Sequence, residues 1–187
     1  MVERHSEFVR EADDHYVEPA WTVDRLFDRV ILPLGLHDPC CGFGTIPEAA
    51  SARGIAATGS DLIDRANGRF PIQDFLTDQR EQPSVVCNPP FKDSAEFVLH
   101  GLRVVRPLGV VAVIAQAKFL FSQGRHALFT LTEFERVIIF SRRPSMPPGK
   151  MLAELGEACR GGGAMDYCWC IWRVGKMTPG ASIEWTL

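Results

Sequence analysis

The stretch Asn88-Pro89-Pro90-Phe91 joins an amide, two prolines and an aromatic ring directly to the end of an apolar run, Val85-Val86-Cys87. Neither proline can donate to a sheet ladder, and each pushes the residue before it out of the helical region. A strand has to stop here and leave extended and stiff. Such stiffness suits a site whose acceptors must meet the N–H bonds of an incoming group at a fixed angle. Asn88 offers a side-chain carbonyl and Pro89 a backbone carbonyl. Pro89 and Pro90 lock the angle between them, so little entropy is lost on engagement. Phe91 offers a flat face for an incoming ring. The same tetrapeptide is also a plain strand terminator, so its surroundings must decide.

A second chemical cluster lies upstream, in Asp38-Pro39-Cys40-Cys41-Gly42-Phe43-Gly44. Gly42 and Gly44 let backbone approach a ligand, and the helix that follows presents unpaired N–H groups. A dinucleotide fingerprint needs a third glycine, which "GFGTIP" lacks. The acid just before the glycines, Asp38, suits a ligand with an ammonium group better than one with phosphates. Asp61 ends the next apolar run, "IAATGSD", where a carboxylate is placed to accept from ribose hydroxyls. Asp74 and Phe75 form a further acid–aromatic pair at an expected sheet edge. An amino acid, a ribose and an adenine together satisfy these three places, and S-adenosylmethionine is that molecule.

The elements that must hold these residues alternate between apolar β-rich and amphipathic helical runs, the pattern of an α/β sheet. Helices are expected over "WTVDRLFDRVIL", where Val23, Leu26, Phe27, Val30 and Ile31 share a face, over "TIPEAASARG", and over "DSAEFVLHGLRVVRP". Strands are expected in "GLHDPC", "IAATGSD", "SVVC", "GVVAVIAQ", "FERVIIF" and "DYCWCIWRV", with a short one in the more polar "FPIQDFL". "GVVAVIAQ" is continuously apolar, as in a strand buried on both faces. "SMPPGKMLAELGEACRGGGA" reads as part helix and part loop.

Composition narrows the class. With 187 residues, 46% hydrophobic and 23% charged, the chain is expected to form one soluble domain. No apolar run is long enough to span a membrane, and the charged first residues lack a signal-peptide core, so the expected location is the cytoplasm. The six cysteines include no C-x-x-C pair and lack zinc spacing, so no metal is expected. The net charge of −3 advertises no global attraction to nucleic acid.

"DPCCGFG", "GSD", "QDF" and "NPPF", in this order and spacing, resemble the class I methyltransferases that modify exocyclic amino groups. The likeness covers roughly residues 14 to 175 and is strongest to the small adenine methyltransferases carried by phages and prophages. It implies a single Rossmann-like domain over 1–187, with a mostly parallel seven-stranded sheet, helices on both faces and an antiparallel last strand. Within it, 14–32 would be a lead-in segment, 36–80 the cofactor-binding half and 84–187 the catalytic and substrate half. By this resemblance Asp38, Gly42 and Gly44 hold the methionine end of the cofactor and Asp61 the ribose. Asp74 takes the adenine amino group and Phe75 the adenine ring. The lead-in "HYVEPAWTVDRLFD" is similar to the segment that closes over the methionine moiety, which makes Tyr16 and Thr22 candidates there. The four residues Asn88, Pro89, Pro90 and Phe91 become the catalytic set.

The resemblance implies methyl transfer to N6 of adenine in DNA, with a duplex base flipped out to reach the site. The same tetrapeptide also serves RNA bases and a protein glutamine, and a cofactor-binding subunit without catalysis is a further reading. Arg142, Arg143 and Lys150, in "SRRPSMPPGK", are placed to contact phosphate, although the same loop reads equally as a solvated one. Lys118 and Arg125 are weaker candidates for that surface. No separate target-recognition domain is visible, so recognition falls to the 141–164 loop or to a protein partner, or else specificity is low.

Overall fold

A computed structural model describes residues 15–176 and 180–187. The charged stretch before residue 15, including the first position of the expected lead-in segment, lies outside the described residues. The elements are α1 (Ala20–Phe27), β1 (Leu36–Asp38), α2 (Thr45–Ala52), β2 (Ala57–Gly59), β3 (Val85–Cys87) and α3 (Ser94–Val104). They continue with β4 (Val110–Gln116), α4 (His126–Thr130), β5 (Phe134–Phe140), α5 (Gly149–Leu155), β6 (Tyr167–Arg173) and β7 (Ser182–Thr186).

The strands form one seven-stranded sheet in the order β2-β1-β3-β4-β6-β5-β7. β6 runs antiparallel to both its neighbours, β4 and β5, and the other pairings are parallel. β4 shows why the sheet is covered on both faces. Its β-branched run has no polar residue before Gln116, and Val110 through Ile114 are fully buried. Val110, Ala112 and Ile114 face Val23, Leu26, Ile46 and Ala50 of α1 and α2. Val111, Val113 and Ala115 face Phe97, Val98 and Leu128 of α3 and α4. Two indoles from β6 divide between the layers, and each finds an acceptor as a buried indole N–H must. Trp169 donates to Thr22 O at 2.8 Å and Trp172 to Thr132 Oγ1 at 2.9 Å.

Two strand expectations need correction. "FPIQDFL" forms no strand: only a single parallel bridge, Asp61 to Ile72, survives there. The Asp74 carboxylate accepts from Leu76 N at 3.0 Å and folds the chain into a short 3₁₀ turn, Phe75–Thr77, an Asx-type bond that competes with a ladder. The seventh strand is instead β7, whose Ser-Ile-Glu-Trp-Thr alternation pairs parallel with β5 at the sheet edge. The antiparallel strand expected last in the chain is β6, and it lies inside the sheet. Among the described residues no helix is long and apolar enough to cross a membrane.

Candidate active site

β1 pairs with β2 on one side and β3 on the other, so the strand order reverses at β1. In an open α/β sheet this opens a crevice beyond the carboxyl ends of the strands. Both sequence clusters arrive there. β1 ends on Asp38, and the chain turns through Gly42 (φ 52°) and Gly44 (φ 97°) into α2. Both glycines occupy left-handed backbone that an L side chain resists. Asp38 is 1% exposed and accepts from Cys40 N at 3.2 Å. Burial, reinforced by the nearby Glu18 carboxyl, pushes the Asp38 carboxyl well above the usual carboxylate range. Asp61, just past β2, ties the loops together. Its Oδ2 accepts from Gly42 N at 2.8 Å, its Oδ1 from Ile63 N at 3.0 Å, and Arg65 Nε lies 3.8 Å away.

Asn88 leaves β3 two residues after Val86, on the same face as the α1/α2 layer. Its amide nitrogen donates to Tyr16 O at 2.6 Å and to Glu18 Oε2 at 2.8 Å. These acceptors fix which way the amide points and leave Oδ1 to accept. The Asn88 backbone carbonyl accepts from the Cys40 thiol at 3.3 Å. After the two prolines, Ser94 Oγ bonds Pro90 O at 3.3 Å and Phe91 O at 3.2 Å, anchoring the turn into α3. The Phe91 ring stacks on Tyr16 (5.9 Å between centroids, 18° between planes) and meets Tyr167 at 5.7 Å. Its face toward Tyr16 is therefore already covered by an aromatic ring. Gln116, at the end of β4, holds its Oε1 buried without a partner.

Residues 15–18 form a strap across this crevice. Gly149 N donates to His15 O and Val17 N to Pro147 O, each at 3.0 Å, with a bridge between Tyr16 and Pro148. Arg160 Nη1 clamps the strap by donating to Val17 O and Ser145 O, each at 2.9 Å. The His15 imidazole threads between two glycines: a Cβ on Gly149 would stand 2.1 Å from Nδ1, and one on Gly42 2.8 Å from Nε2. Glu18 is 6% exposed, and burial raises its pKa to about 7 against hydrogen bonds from its own backbone, Asn88 and Thr45 and the charge of Arg160.

The cleft encloses about 450 Å³ when the open solvent at its mouth is included. His15, Tyr16, Glu18, Gly42, Asp61 and Asn88 are among the residues lining it. Asp38 lies just beneath. Pro90 lines the cleft as well, and the remaining candidates are not among its lining residues. Thr22 is a buried residue of α1 and donates its hydroxyl to Pro19 O at 2.7 Å. Phe75 is 2% exposed, its ring packed on Phe97 and His100, while Asp74 caps the turn before it. Arg142 lies 5.5 Å over the Trp21 ring, Arg143 pairs with Asp166 at 2.7 Å, and Lys150 is exposed on α5. The sequence marks Glu18 by one signal alone, an acid directly before a proline in "HYVEP". Gln116 looked like the polar end of an apolar strand.

A scan against models of protein families gives no match, and neither does a search of curated proteins. Solved structures do match. A proposed class I S-adenosylmethionine-dependent methyltransferase from Listeria monocytogenes aligns with TM-score 0.64 and 14% identity, over 92% of this chain and 66% of that one. The M protein of the type I restriction enzyme EcoKI aligns with TM-score 0.61 and 14% identity, over 88% of this chain and 45% of that one. A proposed RNA methyltransferase from Pyrococcus horikoshii aligns with TM-score 0.54 and 16% identity, over 83% of this chain and 81% of that one. The chain thus spans less than half of the EcoKI M protein and two-thirds of the Listeria protein. The fold is the Rossmann-like fold of class I methyltransferases.

Proposed function

We propose that the protein is an S-adenosylmethionine-dependent methyltransferase acting on the N6 amino group of adenine in DNA. The observation that carries this reading is the Asn88 amide, held by Tyr16 O and Glu18 at the mouth of the cleft with its oxygen left to accept. An amide oriented this way presents an acceptor to an amino group entering beside the strand ends. Gln116 Oε1, buried without a partner among the described residues at the end of β4, offers a second polar atom on that side. The restriction-enzyme M protein among the structural neighbours supports DNA as the substrate class.

The residues present fit the cofactor. Asp38 is a buried carboxyl whose charged form is disfavoured until a cation arrives, and an α-ammonium supplies one. S-adenosylmethionine, when bound, provides a methyl group on a positively charged sulfur. Asp38 and the Gly42–Gly44 loop hold the methionine end in this reading, with the strap at Tyr16 closing over it. Thr22 supports that strap from below. Asp61 accepts from the ribose, and Asp74 with Phe75 borders the adenine. Asn88 Oδ1 and the Pro89 carbonyl accept from the target amine, and Phe91 stacks on its ring once Tyr16 gives way. Arg142, Arg143 and Lys150 meet the backbone of the nucleic acid. Arg143 exchanges Asp166 for phosphate at little cost, because an exposed ion pair is worth at most about 1 kcal/mol. Target choice then rests on the 141–164 loop or on a protein partner.

The test is transfer of labelled methyl from S-adenosylmethionine to unmethylated DNA, with RNA and mixed protein as parallel acceptors. The expected result is label in N6-methyladenine of DNA, lost in Asn88→Ala while cofactor binding persists. Label only in RNA or protein keeps the chemistry and replaces the substrate. Cofactor binding with no label in any acceptor turns the protein into a binding subunit.

A further inference from the structure

We propose that Glu18 is a positioning residue for methyl transfer: as a carboxylate it grips the Asn88 amide by an N–H and makes the amide oxygen a stronger acceptor for the substrate's amino group. This rests on the methyltransferase reading and extends it to a residue that the tetrapeptide does not contain.

The geometry gives Glu18 two effects on Asn88. The first is orientation. With its nitrogen 2.6 Å from Tyr16 O and 2.8 Å from Glu18 Oε2, the amide cannot flip without setting its oxygen against a carbonyl and a carboxylate. The second is polarisation. A charge-assisted bond to the amide N–H shifts electron density toward Oδ1, so the chain Glu18 to Asn88 to target amine strengthens along its length. The nitrogen lone pair takes the methyl group as the methyl–sulfur bond breaks and leaves its electron pair on sulfur, and the nitrogen then releases a proton to solvent. An Asn88 oxygen that grows more basic stabilises the positive charge building on the nitrogen. Asn88 backed by Glu18 thereby approaches what an ionised carboxylate would do at the same place, while keeping the neutral amide's geometry.

The surroundings set how readily Glu18 ionises. Arg160, from the segment after α5, favours the carboxylate, and Thr45 at the start of α2 donates to it. Asp38 at the end of β1 repels it, with Asp61 beyond. His15 and Arg65 line the same cleft. Burial dominates and places the titration at about pH 7. Below that value the protonated carboxyl loses the charge that polarises Asn88, so the transfer rate rises as pH rises through it.

The experiment is single-turnover transfer at saturating cofactor and DNA, from pH 6 to 8, for wild type and Glu18→Gln, paired with nitrogen-15 NMR of the Asn88 side-chain amide. The expected wild-type rate climbs across this range. Glu18→Gln, which keeps an acceptor but no charge, is slower by about tenfold at pH 8, has a flat profile and shifts the KM for DNA less than about twofold. The Asn88 amide resonances shift with pH in wild type and stay still in the variant. A wild-type rate and profile in Glu18→Gln overturns the proposal, as does wild-type transfer with an Asn88 amide that ignores pH. Absence of transfer by wild type to any acceptor, with the amide titration intact, overturns the methyltransferase reading itself and the positioning role with it.

Discussion

The backbone N–H of Gly42 donates to Asp61 Oδ2 at 2.8 Å, joining the turn after β1 to the end of β2 across the switch point of the sheet. The same carboxylate accepts from Ile63 N, so one side chain holds two loops. Asp61→Ala leaves both donors without that partner and is expected to cost about 1–3 kcal/mol in urea unfolding. Asp61→Asn keeps one acceptor oxygen and costs less. Calorimetric titration with S-adenosylmethionine should show weaker binding for both variants, in the same order.

Two buried groups give the stability opposite dependences on pH. Glu18 has a folded pKa raised to about 7 by burial. Between its ordinary value near 4.5 and 7 the folded state therefore holds a proton that the unfolded state has released. Stability falls as pH rises through that window, by up to about 3 kcal/mol. Asp38 acts in the same direction.

His37 does the reverse. Its ring lies between Thr58 Oγ1 at 2.9 Å and Ser60 Oγ at 3.1 Å, and burial lowers its pKa to about 4. The unfolded state takes up a proton below 6.5 that the folded state refuses, so stability falls as pH drops from 6.5 to 4. Urea midpoints at constant ionic strength should rise for wild type on acidification between these limits, because Glu18 and Asp38 together outweigh His37. His37→Gln should gain more than wild type over the same range, and Glu18→Gln less.

The passage of His15 between Gly42 and Gly149 gives a test of the strap. Gly149→Ala places a methyl group where the imidazole runs and is expected to destabilise the protein by about 1–3 kcal/mol. His15→Ala in the same background removes the obstacle and should recover most of that loss in thermal unfolding, a coupling that two independent sites would not show.

How much of this was visible beforehand follows from which forces are local. β4 was legible because a strand buried on both faces must be apolar throughout. The two glycines, Asp61 and Asn88 were legible because turns at strand ends demand particular residue types, and the parallel topology brings those ends together. The run around Asp74 misled because its apolar alternation suits a strand while its own carboxylate captures Leu76 N, a bond that composition does not reveal. β7 went unseen because an edge strand needs only one partner, β5, about 45 residues earlier. Glu18 escaped for the opposite reason: nothing in "HYVEP" marks the acid as buried, and only the approach of β3 makes it so.

Tyr16 contributes its ring to the Phe91 stack, its carbonyl to the Asn88 amide and its backbone to the wall of the cleft. In the proposed function, a ring that takes its place on Phe91 turns the Tyr16 side chain out of the stack while the Tyr16 carbonyl and Glu18 stay on the Asn88 amide. Whatever closes the strap from the cofactor side then alters the affinity felt from the acceptor side, and linkage makes the effect mutual. The free energy of one encounter is partly stored, in a strap only a few residues long, as the readiness for the other.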